Sequence, residues 1–324
     1  MTVNVEAGTK KFCYLNVPGV AAERTFVSNP LIGPPRPTTS RIPIMYVKGS
    51  VEGPTLCIVA GVHACEYPAI EAAIQIYKQT NPLQLKGQLV IVPVANTAGF
   101  WTRTPYVNPS DGIDIGATYG VAGTSISYRI GRVLVDEVFS HADYILDLHG
   151  GDVMEDVVPH AGYTRIGDKK VDEGSEMLAK VYGTEYVFER LVPGAFEQSG
   201  LRVPRTLAEA GREGKLEEQY TAMNTKGITN VMKALGMIPG DPILPAKQIV
   251  MHGRYEVFAN ESGLFYPQVQ LGDHVRKGDT LAEIRGIDGT ILEEIGAPKD
   301  GVVLLMMTNP VKHKDDLLFK CWMP

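Results

Sequence analysis

Apolar residues follow two rhythms along this chain. Over roughly the first 245 positions, short continuous apolar runs alternate with stretches whose apolar residues recur every three or four positions. The runs at residues 55–60, 88–96 and 142–148 read as buried strands, because a strand covered on both faces needs no polar side. Residues 69–77, 125–140, 172–181 and 216–235 carry the helical spacing. In 125–140 it is set by Ile126, Ile130, Val133, Leu134 and Val138. A strand, a helix and a strand at this spacing form a βαβ unit with parallel pairing and a right-handed crossover. The expectation is an α/β domain over 1–245, a mixed, largely parallel sheet flanked by helices. Residues 10–19 read as an edge strand ended by Pro-Gly. Residues 28–40, rich in Pro and Gly, read as a surface loop. Residues 41–49 read as a strand that Pro43 confines to a sheet edge or a strand start. Residues 100–123 read as a long irregular loop, the kind that usually carries function.

After Asp241-Pro242 the rhythm changes to short alternating runs broken by Gly-Asp turns, with no helical spacing. Residues 246–324 are therefore expected to form an all-β unit of the barrel-sandwich type seen in biotinyl and lipoyl carriers. The Met-Lys-Met sequence such carriers modify is absent, so covering a cleft or mediating assembly is the expected role.

The chemistry concentrates at strand ends. Residues 61–66, Gly-Val-His-Ala-Cys-Glu, follow the first buried run and place His63 and Glu66 three residues apart at its carboxyl end. Ligands of open α/β sheets bind in that crevice. His149 ends the run at 142–148 and is followed by Gly150 and Gly151. Two histidines and one glutamate with an open fourth position are a catalytic zinc set. Asp147, two residues before His149, shares its side of the strand and could orient it. Asn96 ends the second run, as a turn residue or a substrate contact. Cys65, Asp111, His160 and the histidines after residue 250 read as structural.

Three ordered motifs, Gly-x-His-x-x-Glu, Asp-Leu-His-Gly-Gly-Asp (147–152) and Glu-Ala-Gly (209–211), together with Pro-Val-Ala-Asn (93–96) and Tyr-Val-Asn-Pro-Ser-Asp-Gly (106–112), resemble the succinylglutamate desuccinylase/aspartoacylase family. The resemblance runs nearly end to end and implies a zinc-carboxypeptidase-like fold. It implies one Zn²⁺ per chain on His63, Glu66 and His149, with Glu209 as general base. It also implies Arg103 on the scissile carbonyl or the substrate. The implied reaction is deacylation of an N-acyl amino acid or N-acyl amine. One departure stands out: the Asn-Arg pair that grips a substrate carboxylate in that family is replaced by Gly116-Ala117. Arg190, Arg202, Arg205 and Arg212 bracket the strand leading to Glu209, and any one of them is a candidate replacement, Arg212 being nearest to Glu209 in sequence. A metallocarboxypeptidase-like peptidase is the alternative, disfavoured without the carboxylate clamp. A non-catalytic binding protein on the same scaffold is the reading from another class.

Composition narrows the partners. A net charge of −6 over 324 residues gives no basic footprint for nucleic acid. No apolar run reaches the ~20 residues of a membrane span, and residues 1–11 lack a signal-peptide pattern. Four scattered cysteines read as reduced thiols of a cytoplasmic protein. The expected partner is a small N-acylated molecule, with neither nucleic acid nor membrane. A homo-oligomer is possible.

Overall fold

The computed structural model describes residues 4–26, 36–190 and 193–323. Nine strands form one large sheet: β1 (Thr9–Leu15), β2 (Ile42–Lys48), β3 (Val51–Val59), β4 (Lys86–Val92), β5 (Tyr144–His149), β6 (His160–Thr164), β7 (Tyr186–Arg190), β8 (Arg205–Glu209) and β9 (Ile249–Met251). Their order is β1-β2-β4-β3-β5-β8-β6-β7-β9. Pairing is parallel from β4 through β3 and β5 to β8, and again across β6, β7 and β9. It is antiparallel for β1–β2, β2–β4 and β8–β6. The expected mixed, largely parallel sheet is what forms.

The helices cover both faces. α1 (Tyr67–Gln79), α4 (Lys169–Tyr182) and α5 (Glu218–Ala234) bury one face, with Leu56, Ile58, Leu146, Leu148, Leu178 and Ile228 in that core. α3 (Ile126–Glu137) covers the other, over Cys57, Val59, Val92 and Ile145. The central strand β5 is buried at five of its six residues, which is why its sequence is a continuous apolar run rather than an alternating one.

Three expectations are refined. β2 lies inside the sheet, between β1 and β4, and of the two expected placements Pro43 takes the strand start. The β4 ladder begins only at Met45, so Pro43 removes no donor from it. The stretch 100–123 is less irregular than its composition suggests: α2 (Thr97–Thr102) runs into it, and a 3₁₀ turn forms at Ile115–Thr118. The surface-loop expectation for 28–40 falls mostly outside the described residues, and its end forms a strand, Arg36–Thr39, paired with Glu23–Phe26.

Beyond β9 the chain builds two small sheets. One contains β10 (Gly253–Phe258), β12 (His274–Val275), β15 (Gly301–Met307) and β17 (Leu317–Met323). The other contains β11 (Gly263–Pro267), β13 (Thr280–Arg285), β14 (Ile291–Gly296) and β16 (Val311–Lys312). They enclose a core of Val257, Phe265, Leu281, Ile284, Leu318 and Phe319. The short strand Glu155–Val157, just after His149 in the chain, pairs with β15. Val157, Phe188, Met251, Leu304 and Trp322 form one buried cluster across the junction. The β-rich part is thereby bound to the carboxyl ends of the large sheet.

Candidate metal centre and the cavities around it

β3 delivers the first two candidate ligands. After Ala60 the chain turns sharply through Gly61, at φ +60°, where an added Cβ would meet Val94 and Pro93 backbone at 3.0–3.1 Å. His63 and Glu66 follow, and Glu66 sits immediately before α1. β5 delivers His149, and β8 runs parallel to it with Glu209 in register with His149. The glycines after His149 are spatial requirements: a Cβ on Gly150 would fall 2.8 Å from the Ala210 carbonyl oxygen.

The three donors converge. His63 Nδ1 lies 2.8 Å from Glu66 Oε1, and His149 Nδ1 lies 3.0 Å from Glu66 Oε2 and 3.2 Å from His63 Nδ1. All three ligand atoms fall within 4.8 Å of one another. Behind each imidazole stands a carboxylate: Asp114 Oδ1 is 3.6 Å from His63 Nε2, and Asp147 Oδ1 is 3.2 Å from His149 Nε2. Carboxylates in that position orient ligand imidazoles and raise their basicity. Asp147 is held in turn by Arg205, whose other guanidinium nitrogen donates to Glu197 Oε1 at 2.8 Å.

The electrostatics ask for positive charge. Burial opposes protonation of His63, yet Glu66 and then Asp114 raise it to about 10. His149 is likewise raised well above its ordinary value, against burial, by Glu66 and Asp147. Burial favours a neutral Glu66, but His63 and His149 pull it below its ordinary value. Glu66 Oε2, fully buried, accepts no aligned hydrogen bond. Two imidazole nitrogens, one orphaned carboxylate oxygen and flanking carboxylates fit a divalent cation such as zinc.

Two cavities meet at His63. One, of about 160 Å³, is lined on one side by Glu66, Tyr106 and Glu209 and on the other by Arg254, Lys320 and Trp322. The second, of about 380 Å³, runs past Asp114, Gly116, Ala117, His149 and Phe196. Arg190 and Leu207 line both. Burial raises Glu209 to about 8; His149 opposes the shift, Glu66 and Glu155 add to it, and His63 opposes it. Tyr106 holds a left-handed backbone at φ 57°, unusual for a bulky residue, with its N–H donated to Asp152 Oδ2 at 2.8 Å. Its ring lies 5.0 Å from that of His63.

The structure therefore brings His63, Glu66 and His149 together and sets Glu66 and Glu209 on the first cavity and His149 on the second, with His63 on both. It does not bring the other candidates there. Asn96 is fully buried and caps α2, accepting from Gly99 N–H at 2.9 Å and donating to the Val107 carbonyl at 3.2 Å. Arg103, exposed at the left-handed end of α2, lines neither cavity. Arg212 forms a two-bond pair with Glu217 outside both. Sequence reasoning missed Asp114, Tyr106, Lys320 and Trp322, and named Arg190 only as one of four arginines that could replace the grip. Asp114 carried a signal, since it follows the Asp-Gly turn in the loop between ligands; Lys320 and Trp322 carried none.

An open sheet presenting two imidazoles and a carboxylate at neighbouring strand ends defines a metal-site α/β protein of the hydrolase type. The chain belongs to the succinylglutamate desuccinylase/aspartoacylase family: residues 52–235, more than half of it, match the model of that family's catalytic domain. An N-alpha-acetyl-L-2,4-diaminobutyric acid deacetylase from Halomonas elongata is 27% identical over 81% of this chain and 80% of its own. A product-bound structure of the ectoine utilization protein EutE (DoeB) from Ruegeria pomeroyi superposes with a TM-score of 0.84, at 21% identity, over 100% of this chain and 98% of that one. A succinylglutamate desuccinylase/aspartoacylase from Rhodobacter sphaeroides gives 0.83, at 22% identity, over 99% and 98%. No helix among the described residues is long and apolar enough to cross a membrane.

Proposed function

We propose that the protein is a zinc-dependent deacylase that hydrolyses the amide bond of a small N-acylated amino acid. The observation that carries this reading is the convergence of His63, Glu66 and His149 within 4.8 Å, with Glu209 lining the cavity that His63 and Glu66 line. His63, Glu66 and His149 would hold one zinc ion per chain, and that ion would supply Lewis acidity and an acidified water. The chain's own groups do the rest. Glu209 accepts the proton of the attacking water and returns it to the leaving nitrogen. Asp114 and Asp147 hold the two imidazoles with Nδ1 forward. Arg103 would contact the carbonyl only by swinging in from its exposed position. An Arg103→Ala fall in kcat/KM of about 100-fold supports that role, and a change within about threefold removes it.

The related deacetylase suggests Nα-acetyl-L-2,4-diaminobutyrate as the first substrate to try. A peptidase reading is weaker, because the cavity beside Glu209 holds only about 160 Å³. The four cysteines, free and mostly buried, suit the reducing cytoplasm.

The test has two parts. Elemental analysis is expected to give about one zinc per chain, lost in His63→Ala/His149→Ala. Glu209→Gln is expected to keep the metal and lose at least about 100-fold in kcat. A Glu209→Gln protein with near-native turnover overturns the base assignment, and a protein that takes up no metal when supplied with zinc overturns the whole reading.

A further inference from the structure

The cavity beside Glu209 has one wall made entirely by the C-terminal β-rich part, and that wall has unused donors. Trp322, on β17, is 2% exposed, lines the cavity, and has an indole N–H with no acceptor. A buried donor left unpaired costs free energy unless something else satisfies it. Its ring is fixed by Phe188 and His160, at centroid distances of 5.9 Å and 5.2 Å. Two residues earlier on the same strand, and so on the same face, Lys320 also lines the cavity and makes no ion pair or hydrogen bond among the described residues. Arg190, at the end of β7, lines it from the opposite part of the molecule and is likewise without an ion pair among the described residues. Arg254 stands at the rim, paired with Glu256 at 3.3 Å. The acidic groups facing the same space are Glu66, Glu155 and Glu209. Two unpaired cations and one unpaired buried N–H around a small cavity next to the reacting centre match a planar anion.

We propose that Lys320, Trp322 and Arg190 form the carboxylate-binding subsite of this protein, in place of the grip lost at Gly116-Ala117. The proposal rests on the deacylase reading and sharpens it: the substrate bears a free carboxylate, and the β-rich part selects it. That carboxylate belongs either to the amino-acid side of the amide or to a dicarboxylic acyl side, and the two sources are separable with stable product-like ligands.

Titration calorimetry on the zinc-loaded full chain compares L-2,4-diaminobutyrate with its carboxamide, and succinate with acetate. The wild type is expected to bind the member carrying the extra carboxylate about 10-fold more tightly in one pair. The first pair assigns the subsite to the amine side, the second to the acyl side. Lys320→Met and Trp322→Phe are each expected to abolish most of that preference while leaving the carboxamide or acetate within about twofold. Trp322→Phe keeps the ring packing and removes only the donor, so an unchanged melting temperature separates a lost contact from a lost fold. No preference in either pair, or a preference that survives both substitutions, overturns the proposal. A carboxylate preference without amide hydrolysis upholds the subsite and refutes the deacylase reading; hydrolysis without a preference does the reverse.

Discussion

His160 makes the structure testable by pH alone. It sits at the start of β6, 3% exposed, between Phe188 and Trp322. Its Nδ1–H donates to the Val158 carbonyl at 2.7 Å, which assigns the neutral tautomer. Burial lowers its pKa from 6.5 to about 4; the Val158 bond opposes the shift, and Lys320 and Arg254 add to it. The sign follows from the depressed folded value. Above the ordinary value of 6.5 the ring is neutral in both states and costs nothing. As pH falls, the unfolded chain takes up a proton first, so stability drops between 6.5 and about 4 and the full penalty stands below that. Integrating the two titrations from about pH 7 to about pH 5 gives a loss of about 2 kcal/mol from this residue.

Urea unfolding of wild type and His160→Gln at both pH values isolates that amount, because every other titrating group cancels in the difference. Gln keeps a donor for Val158 and removes the titration. The wild type is expected to lose about 2 kcal/mol more than the variant between the two pH values. A pH-dependent difference under about 0.5 kcal/mol would show that His160 is not held neutral by a dry aromatic enclosure, and the closed junction at Trp322 would have to be redrawn.

Other substitutions probe the layers around the metal centre. Asp147→Asn removes the charge behind His149 and is expected to weaken metal binding about 10- to 100-fold in chelator competition; it also leaves buried Arg205 with one fewer partner, costing about 3 kcal/mol or more in urea unfolding. Phe139→Ala, in the ring cluster with Tyr119 and Phe196 at 5.3 Å and 5.6 Å, is expected to cost about 3–5 kcal/mol of stability with zinc content unchanged. Arg212→Met breaks a partly exposed pair and is expected to change stability by less than about 1 kcal/mol and turnover by less than about twofold; a large fall in turnover would return Arg212 to the site.

The cluster of His63, Glu66 and His149 was legible in the chain because these residues stand at or just after the ends of apolar runs. His63, Glu66 and His149 are polar residues where a buried strand stops, and open sheets place their ligands there. The cavity wall was not legible, for a topological reason. Lys320 and Trp322 belong to a mostly apolar strand, LLFKCWM, in which nothing marks a site. They reach the site because β15 pairs with Glu155–Val157 on one edge and with β17 on the other, and long-range strand pairing leaves no local pattern. The arginines show the same limit within a single segment. Arg212 is nearest to Glu209 in sequence, yet the chain has left the strand by then and Arg212 turns to Glu217. Arg205 opens β8, four residues before Glu209, and lies under His149 through Asp147. Arg190 comes from another strand, lines the cavity, and has no ion pair among the described residues. Distance along the chain therefore ranked these residues in the wrong order for the site. Strand register explains only part of this: β8 and β5 run parallel with Glu209 beside His149, whereas Arg190 pairs with Thr164, at the end of β6 away from the His160–Glu209 pair, so register alone does not bring it to the Glu209 end of the sheet.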